Sequence, residues 1–199
     1  MRRRKDPALS KARHAGADAA AVLEAAARSL SGAPRSKRSL VERLITAGYP
    51  EEHVITATDR LEAVGIIDDE RLARSLVESR DRSRQRGDRA LVQELRRRGV
   101  PEEIAVRVLA ERSDEAEGEP LREGGQTPLS AEERAAYAAA AKVRLRGGDV
   151  RAEVQRVAQA LARRGFPSGL SWRIARERFA GGGEGSVPIQ PPEGLGVAD

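Results

Sequence analysis

The stretch Gly65–Leu109, GIIDDERLARSLVESRDRSRQRGDRALVQELRRRGVPEEIAVRVL, decides how the chain folds. An apolar pair and two adjacent aspartates precede a helical segment that is rich in arginine. A second helical pattern follows, with Leu91 and Leu95 on one face, and it stops at Gly99. Pro101 and two glutamates then open a third helix, because proline suits the first turn and acids oppose the helix dipole. The stretch therefore predicts three consecutive helices.

The same helix–glycine–proline–helix pattern occurs on both sides of this stretch. Gly48 and Gly165 repeat the turn at Gly99, and each is followed by a proline two residues later. The spacing is near-regular apart from one extra segment, residues 113–128, before the third copy. Repeats of roughly 20–50 residues usually form helical arrays whose units pack mainly on their neighbours. We therefore predict an all-α fold, an array of three tandem three-helix units.

The remaining segments lack helical periodicity. The first residues are basic, the segment before the third unit is acidic and rich in glycine and proline, and the C-terminal residues are rich in both as well. Such compositions are typical of flexible or disordered chain. The predicted boundaries are a disordered basic arm at 1–16, a first unit at 17–66, a second unit at 67–112, an acidic flexible linker at 113–128, a third unit at 129–180 and a disordered tail at 181–199.

The third unit carries its own helix signals. Ser130 and Glu133 form an S-x-x-E capping box, which predicts a helix that runs to about Arg146. Two glycines end this helix, and Asp149 is a candidate cap for the next one.

Composition narrows the functional classes. The formal net charge of +5 favours acidic partners, nucleic acid among them, while only 3% of the residues are aromatic, so single-strand readers that stack bases are disfavoured. There is no cysteine, and no apolar run approaches the roughly 20 residues of a membrane span. We expect a cytoplasmic protein with no membrane association.

Asp68 and Asp69 are the candidates for acid chemistry. Paired carboxylates can bind Mg²⁺ or share proton transfer. We favour a structural helix start, in which Asp68 caps the following helix and Asp69 lies in its first turn. His14 and His53 have no nucleophile or ligand partner in the sequence and are interpreted as solvated surface residues. With no phosphate-binding, zinc-protease or hydrolase motif, we expect no enzyme, no cofactor and no metal site.

Arginines are the strongest functional signal. Between Arg80 and Arg98 the chain holds eight arginines against three acidic residues. An arginine pair also precedes Gly165, as one precedes Gly99. Arginines that recur at helix ends predict a directed basic face, although part of their role is to interact with helix C-termini. The candidate partner-binding residues are Arg80, Arg82, Arg84, Arg86, Arg89, Arg96, Arg97, Arg98, Arg163 and Arg164.

Together these motifs resemble the RecX family of bacterial recombination regulators. The resemblance is carried by the pattern over Leu61–Ala73, by the arginine-rich helix end leading into Leu91–Val100, and by Arg163–Phe166 in the third unit. It covers roughly Ala19 to Phe179, and the central block is its specific part.

The resemblance implies an elongated, curved all-α protein made of three-helix units. Members of the family lie in the groove of the filament that RecA forms on single-stranded DNA, and they restrain its recombinase and coprotease activities. It thus implies a non-enzymatic RecA modulator, which we expect to be a monomer with at most weak direct DNA binding. The alternative from the residues themselves is a stand-alone basic helical protein that binds DNA through phosphate contacts.

Overall fold

The computed structural model describes residues 14–117 and 129–180, and these residues form helices with no β-strand. The predicted all-α fold is confirmed. Residues 1–13 of the predicted arm, residues 118–128 of the predicted linker and the predicted tail lie outside the described residues. Nine helices lie wholly inside the described ranges: α1 (Ala19–Gly32), α2 (Lys37–Ala47), α3 (Glu51–Ala63), α4 (Asp69–Ser83), α5 (Asp88–Arg97), α6 (Glu102–Glu117), α7 (Ala131–Ala141), α8 (Val150–Ala162) and α9 (Ser168–Ala180).

Local signals set the helix ends. Ser36 caps α2 by accepting a hydrogen bond from the backbone N–H of Ser39, and Gly48 ends that helix with a left-handed φ of 99°. The capping box at the start of α7 forms as predicted, because Ser130 and Glu133 each accept a bond from the other's backbone N–H. Glycine and serine positions therefore set several of the helix ends.

The chain folds as two compact bodies. The first body contains the described residues up to Ser79 together with Val92–Glu111, and the second contains Arg80–Leu91 together with the described residues from Arg112 onward. Each predicted three-helix range contains three helix starts. The helices of the middle range, α4 to α6, contribute residues to both bodies.

Apolar stripes that were visible in the sequence form the core of the first body. Leu40 and Leu44 of α2 pack with Val54 and Leu61 of α3, and all four side chains are buried. Val64, the residue that follows α3, is exposed. The second body has a core rich in alanine, with Leu161, Phe166 and Ile174 as its large members.

A junction between distant segments joins the start of α2 to the end of α5 in the first body. The Ser36 hydroxyl donates a hydrogen bond to the backbone carbonyl of Arg98 at 2.6 Å. The backbone N–H of Lys37 donates to Asp69 Oδ1 at 2.9 Å. Gly99 has a φ of +83°, and a Cβ there would lie 2.6 Å from Ser36 Oγ. The close approach therefore requires glycine.

The second body repeats this junction at the start of α5. The backbone N–H of Gly87 donates to the carbonyl of Arg164 at 3.0 Å, and the N–H of Asp88 donates to Glu132 Oε1 at 2.9 Å. A Cβ on Gly87 would lie 2.4 Å from the backbone of Gly165. In both bodies an acidic side chain thus accepts a backbone N–H at the start of an earlier helix, which would otherwise be unpaired. The Arg-Gly turn accepts from the Ser36 hydroxyl in the first body and from the backbone N–H of Gly87 in the second.

Two helix ends differ from the expectation. Helix α7 ends at Ala141 rather than near Arg146, because arginines from other segments bind its last carbonyls. Arg164 Nη1 donates to the carbonyl of Ala139 at 3.0 Å, and Arg178 donates to the carbonyl of Ala140. Asp149 precedes α8 but makes no side-chain cap bond.

Helix α6 continues to Glu117, into the segment predicted as a linker from residue 113. His14, which was predicted to lie in a disordered arm, stacks on Tyr49 with ring centroids 4.3 Å apart. The aromatic contact holds this end of the described chain against the first body.

Candidate partner-binding arginines

Arg96, Arg97 and Arg98 follow one another at the end of α5 in the first body, and all three are exposed. Arg96 Nη1 lies 3.3 Å from the carboxylate of Glu102, and Arg97 Nε donates to the carbonyl of Gln93 at 3.1 Å. Arg98 has a structural role as well, since its carbonyl belongs to the first junction. Exposed ion pairs of this kind add little stability, so these side chains can exchange partners.

Arg96 and Arg97 line a groove of about 1070 Å³ in the first body, together with Asp68 and Asp69. Lys37 and Arg38 add positive charge, and Glu62, Glu70 and Glu102 add negative charge. The residues of the central sequence motif therefore meet in one groove of mixed charge. It suits a partner that presents both charge signs better than it suits a simple anion.

The two aspartates in the groove have different structural contacts. Asp68 Oδ1 accepts a hydrogen bond from the backbone N–H of Arg71 at 2.8 Å, which is the N-cap bond of α4. Asp69 instead reaches the first turn of α2 through its bond from the Lys37 N–H. Burial raises the pKa of Asp69, and the bond from Lys37 partly opposes that rise. Both carboxylates therefore have structural roles.

Arg80, Arg82, Arg84, Arg86 and Arg89 lie in the second body, around the connection between α4 and α5. Arg80 and Arg86 are half-buried, whereas Arg82, Arg84 and Arg89 are exposed. Arg84 and Arg89 make no side-chain hydrogen bond or ion pair with any residue that the structure describes. These two are the arginines of the cluster that are available to a partner.

The two residues of the pair Arg163-Arg164 have different roles: Arg164 is structural, and Arg163 is available to bind a partner. Arg164 is half-buried, where its guanidinium binds the end of α7 and its carbonyl accepts from Gly87. Arg163 is exposed and lines a pocket with Arg144, Arg146 and Arg156. Arg144 and Arg146 are absent from the predicted contacts because the predicted helix extends over them, and nothing in the sequence singles out Arg156. The alternation of Arg144 and Arg146 just before two glycines was the available signal.

An ion network around a largely buried arginine lies beside the arginine cluster in the second body. Arg112 Nη1 binds Asp88 at 2.6 Å and its Nη2 binds Asp81 at 2.8 Å, while the Arg112 side chain is only 10% exposed. Burial raises the pKa of both aspartates, and the charge of Arg112 opposes that rise. Arg112 is therefore committed to the fold and not to a partner.

None of the helices in the described ranges is both long and apolar enough to cross a membrane. The repeated junctions, the arginine-bearing helix ends and the absence of strands from the described chain together define an all-α helical-repeat protein with exposed arginines.

Comparisons with known proteins identify the family. The description "RecX, second three-helix domain" matches residues 68–109, and "RecX, third three-helix domain" matches residues 130–174. The regulatory protein RecX of Thermobifida fusca is 35% identical over 84% of this chain and 83% of its own length. That of Streptomyces coelicolor is 34% identical over 79% of this chain and 77% of its own length. The chain belongs to the RecX family of regulatory proteins.

Solved structures agree on the fold. A crystal structure of RecX from Lactobacillus salivarius superposes with a TM-score of 0.66 at 19% identity, over 80% of this chain and 95% of that one. A second crystal structure of a regulatory protein RecX gives a TM-score of 0.64 at 24% identity, over 79% of this chain and 73% of that one. The relatives are named as regulatory proteins and not as enzymes.

Proposed function

We propose that the protein binds the filament that RecA forms on single-stranded DNA and inhibits its recombinase and coprotease activities. It acts by occupying the filament groove as a cytoplasmic monomer, without catalysing a reaction of its own. Membership of the RecX family carries this proposal. Many weak contacts along an array of helices supply affinity without a deep pocket.

Exposed arginines support the proposal because their guanidinium groups can bind the anionic surface of a filament on DNA. Arg84 and Arg89 have no polar partner among the described residues, so a filament surface can bind them without first breaking an internal bond. Arg86 is less suitable as a contact, since it is half-buried and already has a polar interaction. We assign the filament contact to Arg84 and Arg89 first.

The test is inhibition of the DNA-dependent ATPase of RecA by the wild type and by Arg84→Glu/Arg89→Glu. Charge reversal replaces attraction to an acidic surface by repulsion. A loss of about 1.4 kcal/mol raises the half-inhibitory concentration tenfold, and we expect at least that shift.

The matched control is Arg43→Glu/Arg60→Glu, which makes the same change in charge at two exposed arginines outside the candidate set. It should inhibit like the wild type. Equal inhibition by all three proteins would remove Arg84 and Arg89 from the site, and no inhibition by the wild type would contradict the proposed function itself. Tight binding of the wild type to bare duplex DNA with no effect on RecA would favour the alternative, a stand-alone DNA-binding protein.

A further inference from the structure

A pocket of about 670 Å³ opens between the loop that follows α7 and the face of α8 in the second body. Four of the residues that line it are arginines: Arg144, Arg146, Arg156 and Arg163. Among the described residues no acidic side chain lines this pocket. It therefore concentrates positive charge, unlike the mixed groove of the first body.

The buried side chain of Glu153 binds two residues that line the pocket, although it does not line the pocket itself. Its side chain is 5% exposed, and its Oε1 accepts a hydrogen bond from the backbone N–H of Arg146 at 3.0 Å. The same oxygen binds the guanidinium of Arg156. These contacts hold the pKa of Glu153 below its ordinary value, with the Arg156 bond as the main cause. The carboxylate of Glu153 thus neutralises the charge of Arg156 and holds the loop in place through the backbone of Arg146.

Three guanidinium groups remain for a ligand. Arg144, Arg146 and Arg163 are exposed, and none of them has a carboxylate within ion-pair distance among the described residues. A guanidinium presents a planar fork of N–H donors that matches the oxygens of a phosphate. Three such forks around one pocket suit a ligand that carries several phosphates in a row.

The surroundings favour a phosphodiester chain over a protein segment. Of the residue types enriched in protein-binding hot spots, tryptophan, tyrosine and arginine, the pocket is lined by arginine alone, with no aromatic side chain to anchor a protein segment. Stacking of nucleic-acid bases also needs aromatic rings, so the bases would not be read. Gly147 and Gly148 leave open space at the end of the loop, because a Cβ at either position would meet nothing within 4 Å. A long polymer can approach from that side.

We propose that this pocket binds the phosphodiester backbone of a nucleic acid, independently of base sequence, through Arg144, Arg146 and Arg163. The inference rests on the proposed function for its place in a filament on DNA. The contact itself needs no RecA, so it is tested with nucleic acid alone and the two proposals can fail separately.

The experiment measures fluorescence anisotropy of a labelled oligothymidylate against the full chain, between about 50 and 200 mM salt. The variant is Arg144→Gln/Arg146→Gln/Arg163→Gln, which keeps Arg156, Glu153 and the backbone bond at residue 146. Each phosphate contact on a single strand contributes about 0.7 to the slope of log affinity against log salt. We expect the variant's slope to be smaller by about 2 and its affinity at low salt to fall by tenfold or more.

The matched control, Arg43→Gln/Arg60→Gln/Arg151→Gln, removes the same charge at three exposed positions that do not line the pocket. It should retain the slope of the wild type. The single variant Arg163→Gln provides a second test if the triple variant folds poorly, and its slope should be smaller by about 0.7.

Two results would overturn the inference. One is an equal loss of slope in the pocket variant and the control, which would mean that only net charge matters. The other is an unchanged affinity of the pocket variant for the oligonucleotide while it loses binding to an oligoglutamate peptide. That result would make the pocket a site for an acidic protein segment. Either result would leave inhibition of RecA by the wild type unaffected.

Discussion

Arg112 binds two carboxylates and lies near the carbonyl of Ala131 in the second body. Such a residue is structural because removing it would leave two half-buried carboxylates without their compensating charge. Arg164 and Arg178 are structural for a related reason, since each donates to carbonyls at the end of α7. Arginines with these contacts are unavailable to a partner, whereas Arg84, Arg89 and Arg163 keep exposed guanidinium groups.

At this scale we predict a pH-dependent effect of Arg112→Leu. The variant should lower the free energy of unfolding at neutral pH by about 2–3 kcal/mol, the scale for losing charged hydrogen bonds. Burial already raises the pKa of Asp81 and Asp88, and loss of the cation should raise it further. A carboxyl whose folded pKa is raised contributes stability below its unfolded pKa and loses it as the pH rises through the folded pKa.

The difference in unfolding free energy between wild type and Arg112→Leu should therefore be largest at neutral pH and shrink as the pH falls towards 3.8, the ordinary pKa of an aspartate. Urea unfolding followed by circular dichroism across this range measures it. A difference that stays constant with pH would show that Arg112 acts through packing and not through its ion pairs.

At the scale of elements, the two junctions connect helix starts to helix ends far along the chain. Each uses the carbonyl of the arginine that precedes a glycine, Arg98 in the first body and Arg164 in the second. Each also uses an acidic side chain in the first turn of a helix that lies between the two in sequence, Asp69 in α4 or Glu132 in α7. The Arg-Arg-Gly pattern is therefore repeated for packing as well as for charge.

The junction in the second body predicts opposite outcomes for two glycine substitutions. Gly87→Ala would place a Cβ 2.4 Å from the backbone of Gly165, and such overpacking costs about 1–3 kcal/mol. Gly169→Ala is the control, because a Cβ there meets nothing within 4 Å and Gly169 lies inside α9. Alanine there should be neutral or stabilise the helix by up to about 1 kcal/mol.

Urea midpoints of the two variants decide between packing and a general effect of removing glycine. We expect the midpoint of Gly87→Ala to fall and that of Gly169→Ala to hold or rise. If Gly87→Ala were as stable as Gly169→Ala, the close approach of Gly87 and Gly165 would not occur in solution.

At the scale of the whole molecule, the sequence was sufficient to predict the all-α class and most helix ends. The reason is that these signals are local: the apolar face of Leu91 and Leu95, the capping box at Ser130 and the left-handed turn at Gly48 each act within a few residues. The family resemblance was visible for the same reason, because its specific motifs lie in the contiguous stretch Gly65–Leu109.

The roles of individual arginines could not be predicted in the same way. Whether a guanidinium is available depends on carbonyls and carboxylates that other segments bring to it, as Arg164 and Ala139 illustrate. The pocket around Arg163 was missed because its walls come from a loop and a helix face, and the end of α7 at Ala141 depends on distant arginines. Contacts between distant positions of the chain leave no periodic trace in the sequence.

The proposed partner of the protein is a RecA filament and not bare DNA. The most direct measurement compares binding of the labelled protein to RecA assembled on single-stranded DNA with binding to the same DNA alone. At about 200 mM salt, contacts to phosphates alone should be largely lost through counterion release. We expect the protein to remain on the filament and to leave the bare strand. Equal affinity for filament and bare strand at that salt would contradict the account.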